Sequence, residues 1–300
     1  MSGEKKNRIL ITLDGSEHAF EGVIYISRIP CFQRMKVDLL YVFMKAPETY
    51  LDLESQPFYA QEVRDIRSWV MQEKTDLHDY LEIASQYLIE AGFREDAVQV
   101  HIKEKKSGIA RDIIEKAKRG EYAAVIAGRW GASKLNDIPL GNVAFKLLER
   151  VSFIPLALVG VDPRPGKVLV GFDGSETSMR AVKMTSNFFC DTDCNVLLLH
   201  VIRNRDSAVT EKAIERIQPL FEDAAKHLVG KGFDSKRIES KIITNAESRA
   251  GSIIEEARAG GYGTIVVGRR GVSGVHDFFM GRVCLKVVQL AVGQAVWIVN

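Results

Sequence analysis

The stretch "IAGRWGASKLNDIPLGNV" (126–143) is an apolar run that stops on a glycine and carries two more, spacing Gly128, Gly131 and Gly141 as G-x2-G-x9-G. Glycine serves turns of every kind, so one copy says little. A second copy changes that. "VVGRRGVSGVHDFFMGRV" (266–283) sets Gly268, Gly271 and Gly281 at the same spacing after a similar apolar run.

The repeat extends outward from these loops. "RILITLDGSE" (8–17) returns as "KVLVGFDGSE" (167–176), which puts Asp14-Gly15-Ser16 159 residues before Asp173-Gly174-Ser175. The runs "LLYVF" (39–43) and "LLHVI" (198–202), and Cys31 with Cys190, keep that offset. From "AGF" (91–93) and "KGF" (231–233) onward the offset is 140, because the first half carries 19 extra residues after its second strand. A period of about 150 residues is a duplicated domain and not a solenoid, whose units run about 20–50 residues. "GVDPRPGK" (160–167), with Pro163 and Pro165, reads as a short stiff connector. The expected domains are 1–162 and 163–300.

Composition agrees with two ordinary cores: 300 residues are 46% hydrophobic, with 41 basic and 39 acidic side chains for a net charge of +2. That balance gives no reason to expect a nucleic-acid or membrane surface. No apolar run reaches membrane-spanning length, and "MSGEKKNR" does not read as a signal peptide. Four cysteines are too few for a disulfide scaffold, so the expectation is a soluble cytoplasmic protein.

Short Val/Ile/Leu-rich runs alternate with segments of helical period. Strands are expected near 8–13, 37–43, 98–102, 122–127 and 154–160, then 167–172, 195–202, 238–243, 263–267 and 295–299. Helices are expected near 17–29, 60–91, 108–119 and 142–151, then 176–189, 209–230, 249–259 and 282–292. Continuous apolar strands alternating with amphipathic helices predict an α/β fold, with a five-stranded parallel sheet covered on both faces in each half. In the long segment 60–91, Val63, Ile66, Val70, Leu77, Leu81, Ala84 and Leu88 form one apolar stripe. A helix of that length exceeds the width of such a domain, so it bends or projects. Pro219 interrupts the matching region of the second half and predicts a kink or restart there.

In an open parallel sheet, ligands bind beyond the carboxyl ends of the strands, where strand order reverses. Asp14 and Asp173 follow the first strand of each half, and the glycine loops follow the fourth. If those strands are neighbours, an aspartate and a glycine loop share one crevice. The last glycine of each loop then opens a helix, whose unpaired N–H groups and positive dipole end suit a phosphate.

Asp-Gly-Ser after the first strand, followed by G-x2-G-x9-G before a helix, resembles the ATP-binding branch of the universal stress protein family, and the duplication resembles its tandem members. The resemblance covers nearly all of both halves. It implies strand order 3-2-1-4-5 and a pseudo-twofold pairing of the two halves through their fifth strands, with chains associating further as homodimers. It also implies adenosine held by Asp14 and the backbone at Val42, or by Asp173 and the backbone at Val201. ATP, with magnesium, would then lie along Gly128, Arg129, Gly131, Gly141, Asn142 and Val143 in one half. The other half would use Gly268, Arg269, Gly271, Gly281, Arg282 and Val283. The family motif ends in Gly-Ser or Gly-Thr; here Asn142 and Arg282 follow the last glycines. Both can donate to an oxyanion, arginine bidentately. Arg129, Arg269 and Arg270 read equally as phosphate contacts or solvated loop charges.

Other motifs carry less. "CDTDC" (190–194) lacks the second Cys/His pair of a structural metal site, so no metal is expected there. His200 reads as a satisfied core histidine and His276 as a loop residue within reach of phosphate. Three functions stay open: a stress-response regulator that binds ATP and answers to an unknown protein partner, a slow ATP hydrolase, or a dimeric scaffold with vestigial pockets. No paired carboxylates or placed general base favour the hydrolase.

Overall fold

The computed structural model describes residues 7–43, 60–131, 140–189, 193–203, 206–271 and 280–300, with the helical backbone alone for 60–71, 73 and 74. In the first half, β1 (Arg8–Leu13), β2 (Lys36–Phe43), β3 (Val98–Glu104), β4 (Ala124–Gly128) and β5 (Leu156–Val159) alternate with four helices. These are α1 (Glu17–Ser27), α2 (Ala60–Glu90), α3 (Ile109–Arg119) and α4 (Asn142–Arg150). The second half repeats the pattern with β6 (Lys167–Gly171), α5 (Glu176–Phe188), β7 (Asn195–Val201) and α6 (Ser207–Val229). It continues through β8 (Ile238–Ile243), α7 (Arg249–Ala259), β9 (Thr264–Gly268), α8 (Arg282–Leu290) and β10 (Ala295–Val299).

The strands form one ten-stranded sheet in the order β3-β2-β1-β4-β5-β10-β9-β6-β7-β8, so each half has the expected order 3-2-1-4-5. Every pairing within a half is parallel; the join, β5 with β10, is antiparallel. Pairing at the join removes both apolar inner edges from solvent. α1, α2, α5 and α6 cover one face and α3, α4, α7 and α8 the other, and both apolar layers run across the two halves. Strands buried on both faces are why β4 and β5 read as unbroken apolar runs.

The join is not symmetric in its side chains. Trp297 lies directly opposite Ala157 in the antiparallel register, at the pseudo-twofold axis. The indole is fully buried, stacks on Phe32 at 6.2 Å and packs against Phe188 at 5.3 Å. Its Nε1 donates to Tyr25 Oη at 2.9 Å, and that hydroxyl shares a hydrogen bond with Thr264 Oγ1 at 2.8 Å. Burial pushes the Tyr25 hydroxyl far above its ordinary titration range, so it stays protonated. A large residue facing a small one fills the axis once, whereas two identical halves would present two tryptophans or two alanines.

The helix does not restart at Pro219. α6 runs without interruption from Ser207 to Val229 with Pro219 inside it. Proline removes the bond to the carbonyl of Glu215. Both residues are exposed, so no buried polar group is stranded, and the buried stripe of Ile217, Phe221, Ala224 and Leu228 keeps the helix whole. In α2, Leu81, Ala84 and Leu88 are buried as expected, while the side chains of Val63, Ile66 and Val70 lie outside the described residues.

Candidate nucleotide site

Each Asp-Gly-Ser turn is built from three separate preferences. Gly15 and Gly174 take φ of +82° and +76°, which only glycine adopts without strain. Ser16 and Ser175 cap α1 and α5, their hydroxyls accepting from Ala19 N at 3.1 Å and Ser178 N at 3.2 Å. Asp14 Oδ1 accepts from Ser16 N at 3.1 Å, and Asp173 Oδ1 from Ser175 N at 3.0 Å. One oxygen of each carboxylate thereby closes an Asx turn. The other is aimed across the crevice. A Cβ built on Gly131 would overlap Asp14 Oδ2, and one on Gly271 would overlap Asp173 Oδ2. Because β1 neighbours β4 and β6 neighbours β9, the sheet brings each aspartate to its glycine loop, in both halves alike.

Past the loop, Gly141 N donates to the Arg129 carbonyl at 3.0 Å and Gly281 N to the Arg269 carbonyl at 2.8 Å, which closes each loop at its base. Gly141 and Gly281 occupy the N-cap positions of α4 and α8 in extended conformation, with no side-chain cap. The first intrahelical bonds are Phe145 N to Gly141 O and Leu285 N to Gly281 O. The N–H groups of 142–144 and 282–284 therefore precede the ladder, at the positive end of each helix. Asn142 and Arg282 are exposed at these starts, while Val143 and Val283 pack on the apolar layer beneath. Gly128 and Gly268 end their strands against the first turns of α1 and α5, a Cβ there meeting His18 O at 2.7 Å and Thr177 Oγ1 at 2.9 Å. The central loop residues, Lys134, Asp137, His276 and Asp277 among them, lie outside the described residues, as does Cys190.

Arg129 and Arg269 take neither role read for them. Both are buried, and both reach into the opposite half. Arg129 Nη2 donates to the carbonyls of Val288 and, at 2.9 Å, of Gln289. Arg269 donates to the Leu148 and Val151 carbonyls at 2.6 Å each and to Asn300 Oδ1. Burial pushes the Arg129 guanidinium down to about 10, still charged at neutral pH. The carbonyls that end α4 and α8 lack intrahelical donors, so a buried guanidinium finds acceptors there that no loop in water would offer. Arg270, by contrast, is exposed.

Around this common frame the crevices differ. Val42 and Val201 are buried near the ends of β2 and β7. Arg249 Nε donates to the Val201 carbonyl at 3.1 Å; its counterpart in the first half is Ile109, which has no such donor. Tyr80 Oη donates to the Ser16 carbonyl at 3.0 Å, and its burial, with the nearby charges of Asp14 and Tyr41, raises it well above the usual phenol range. Leu220 stands in its place in the second half, where a Cβ on Gly174 would lie 2.6 Å from its Cδ1. His200 is half-buried, its Nδ1 bonded to the Phe172 carbonyl at 2.8 Å, in keeping with a satisfied core histidine. Tyr80, Arg249 and the cross-half arginines were not legible as such; each acts on an element distant in sequence. Among the described residues no group of three or more His, Cys, Asp or Glu could hold a metal ion, and no helix is long and apolar enough to cross a membrane.

Comparison with known proteins agrees with this architecture. Residues 165–299 match the model of the Universal stress protein family. The chain is 28% identical over 142 residues to Universal stress protein YxiE of Bacillus subtilis (strain 168), covering 42% of this chain and 93% of that protein. Over the whole length it is similar in fold to the crystal structure of a universal stress protein from Archaeoglobus fulgidus DSM 4304. That match has a TM-score of 0.62 and 20% identity and covers 98% of each chain. A functionally unknown protein from Pseudomonas aeruginosa PAO1 superposes with a TM-score of 0.59 at 15% identity, covering 97% of this chain and 92% of that one. The second half thus matches the universal stress protein family, and a first half of the same strand order fits a tandem arrangement of two such units.

Proposed function

We propose that the protein is a stress-response regulator that binds adenine nucleotide, ATP with magnesium, in the crevice of one or both halves. The observation that carries this reading is the repeated cradle: an aspartate oxygen over a Cβ-free loop position, beside a helix that opens without a side-chain cap. A cradle that any side chain would fill suits a ligand that needs close backbone approach. The uncapped N–H groups of α4 and α8 suit phosphate oxygens. Asp14 and Asp173 would accept hydrogen bonds from ribose hydroxyls, and Val42 and Val201 would offer backbone to the base. Gly128, Gly131, Gly141, Asn142 and Val143, or Gly268, Gly271, Gly281, Arg282 and Val283, would follow the phosphates. One oxygen of each aspartate already closes a turn, which leaves the other for the ligand, and the reading is of nucleotide held as a signal. The units read as two, 1–162 and 163–300, within a cytoplasmic homodimer whose state changes with bound nucleotide and is read by a protein partner.

A second reading has its own observation. With Arg249 on the Val201 carbonyl, the backbone acceptor at the base end of the second crevice is already bonded, which favours a phosphate-rich ligand over a nucleoside there. Extraction of small molecules from the purified protein, followed by isothermal titration of ATP, ADP, adenosine and tripolyphosphate, tests both. No co-purifying nucleotide and no binding below millimolar concentration would leave the pockets vestigial and the protein a scaffold.

A further inference from the structure

Arg129 and Arg269 belong to a closed ring. The Arg129 carbonyl holds Gly141 at the start of α4, and the Arg269 side chain holds the Leu148 and Val151 carbonyls at the end of the same helix. The Arg269 carbonyl holds Gly281 at the start of α8, and the Arg129 side chain holds the Val288 and Gln289 carbonyls at its end. Each helix is thus fixed at its N-terminus by the main chain of its own half's arginine and at its C-terminus by the side chain of the other's. The free N–H groups of the candidate phosphate sites lie at those two N-termini.

We propose that Arg129 and Arg269 are positioning residues in trans: each sets the placement of the anion-binding helix start in the opposite half, so that the two sites act as one coupled unit. The reading of those helix starts as phosphate sites is the one proposed above. Physical reasons point the same way from both ends of the helix. A cation at the C-terminal carbonyls and an anion at the N-terminal amides both complement the helix dipole. Each nine-residue helix buries one face, Ala144, Leu147 and Leu148 or Cys284, Val287 and Val288, and so moves as a unit: a shift at its end is carried to its start. The two arginines are tied to the loops that shape those sites through their own carbonyls.

The ring is unequal. Arg269 uses all three of its nitrogens, the last through Asn300. In the first half Gly160 stands where Asn300 stands in the second, and a side chain there is barred because its Cβ would overlap the Val292 carbonyl and lie 2.8 Å from that of Gln294. Nε and Nη1 of Arg129 accordingly have no hydrogen-bond partner among the described residues; the Trp130 ring, 5.3 Å from the guanidinium carbon, covers that side. The stronger tie therefore runs from the second half into α4, the first half's site.

The test uses the full chain. In an Asp173→Ala background, which leaves the first-half site, Arg269→Met should lower ATP affinity about fivefold or more, although Arg269 lies in the other half. Arg269→Lys, which keeps the charge and loses the fork, should restore part of it. Arg150→Met removes an exposed cation from the last turn of the same helix and should change neither affinity nor helix start. Amide hydrogen exchange gives a readout that needs no ligand: residues 142–146 should exchange severalfold faster in Arg269→Met than in Arg150→Met, at a temperature where both are folded. In the mirror experiment, Arg129→Met should weaken the second-half site of an Asp14→Ala chain by a smaller factor. Unchanged exchange at 142–146 overturns the ring. Faster exchange with unchanged affinity, in a chain that does bind ATP, overturns the coupling. A wild-type chain that binds no ATP removes the nucleotide reading instead, and the exchange result still decides whether the arginine positions the helix.

Discussion

The two halves share the backbone features that frame each crevice and differ in the side chains set around them. Strand order, the left-handed glycine after each aspartate, the serine caps and the uncapped starts of α4 and α8 recur in both. Side chains at matching places do not. Leu220 stands at the position matching Tyr80, Arg249 at that of Ile109, Arg282 at that of Asn142, and Asn300 at that of Gly160. A further contrast lies beneath the sheet. Asp38 is fully buried on β2, accepts from Tyr122 Oη at 2.6 Å, and lies 3.0 Å from His101, 3.8 Å from Arg8 and 3.8 Å from Lys116. Leu197 takes that place in β7. The lesson is that the duplicated frame tolerates divergence because its turns and caps are satisfied locally, while the sites inherit whatever side chains each copy carries.

The join offers the largest contrast to break. Trp297→Ala should cost about 3–5 kcal/mol, through lost contacts and a cavity at the axis, with the Tyr25 hydroxyl left one partner short. Ala157→Trp should also destabilise, because the axis holds one indole already. Denaturant unfolding checks both. A Trp297→Ala loss under 1 kcal/mol would mean the two halves do not depend on their shared core.

The aspartates come next. Asp14→Ala and Asp173→Ala should each remove nucleotide binding from their own half and leave the fold intact, since a charged hydrogen bond contributes about 1.5–3 kcal/mol, roughly ten- to a hundredfold in affinity. Titration of each single variant measures it. Unchanged binding in both would restrict Asp14 and Asp173 to their turns.

Making the first half resemble the second beneath the sheet should be a moderate loss. Asp38→Leu copies Leu197 but strands the buried Tyr122 hydroxyl, at a cost of about 1–3 kcal/mol. The double change Asp38→Leu with Tyr122→Phe should recover much of it. If the pair is no better than the single change, the carboxylate's other partners matter more than the phenol.

The smallest expected effect concerns polyphosphate. Arg282 offers a charged donor at the start of α8 where Asn142 offers a neutral amide, so the second half should hold tripolyphosphate up to about tenfold tighter than the first. Arg282→Ala should erase that preference, and raised salt should reduce it. Stronger binding in Arg282→Ala would show that the arginine fills the phosphate position itself.

Much of this was open to reading from particular residues. The glycine spacing, with Asp-Gly-Ser at matching offsets, located both crevices, because turns and caps are made by residues close in sequence. The strands and helices fell within a few residues of their expected bounds, because their burial imposes an apolar pattern. Pro219 left a restart open that the structure excludes, because local propensity cannot weigh the buried stripe that carries the helix through. Arg129 and Arg269 misled for a different reason. An arginine beside a glycine reads the same whether its fork meets a phosphate or a helix end 118 to 160 residues away.

The sequence by itself determined that the chain is a duplicated α/β protein and where each half opens a cradle, since periodicity, turn chemistry and repeat offset are local properties written twice. Only the tertiary structure decided that Trp297 faces Ala157 across the axis of the joined sheet and that each loop arginine clasps the other half's helix. Those contacts join residues far apart in the chain, and which partner a buried donor meets depends on where the whole fold places the acceptors left over at helix ends.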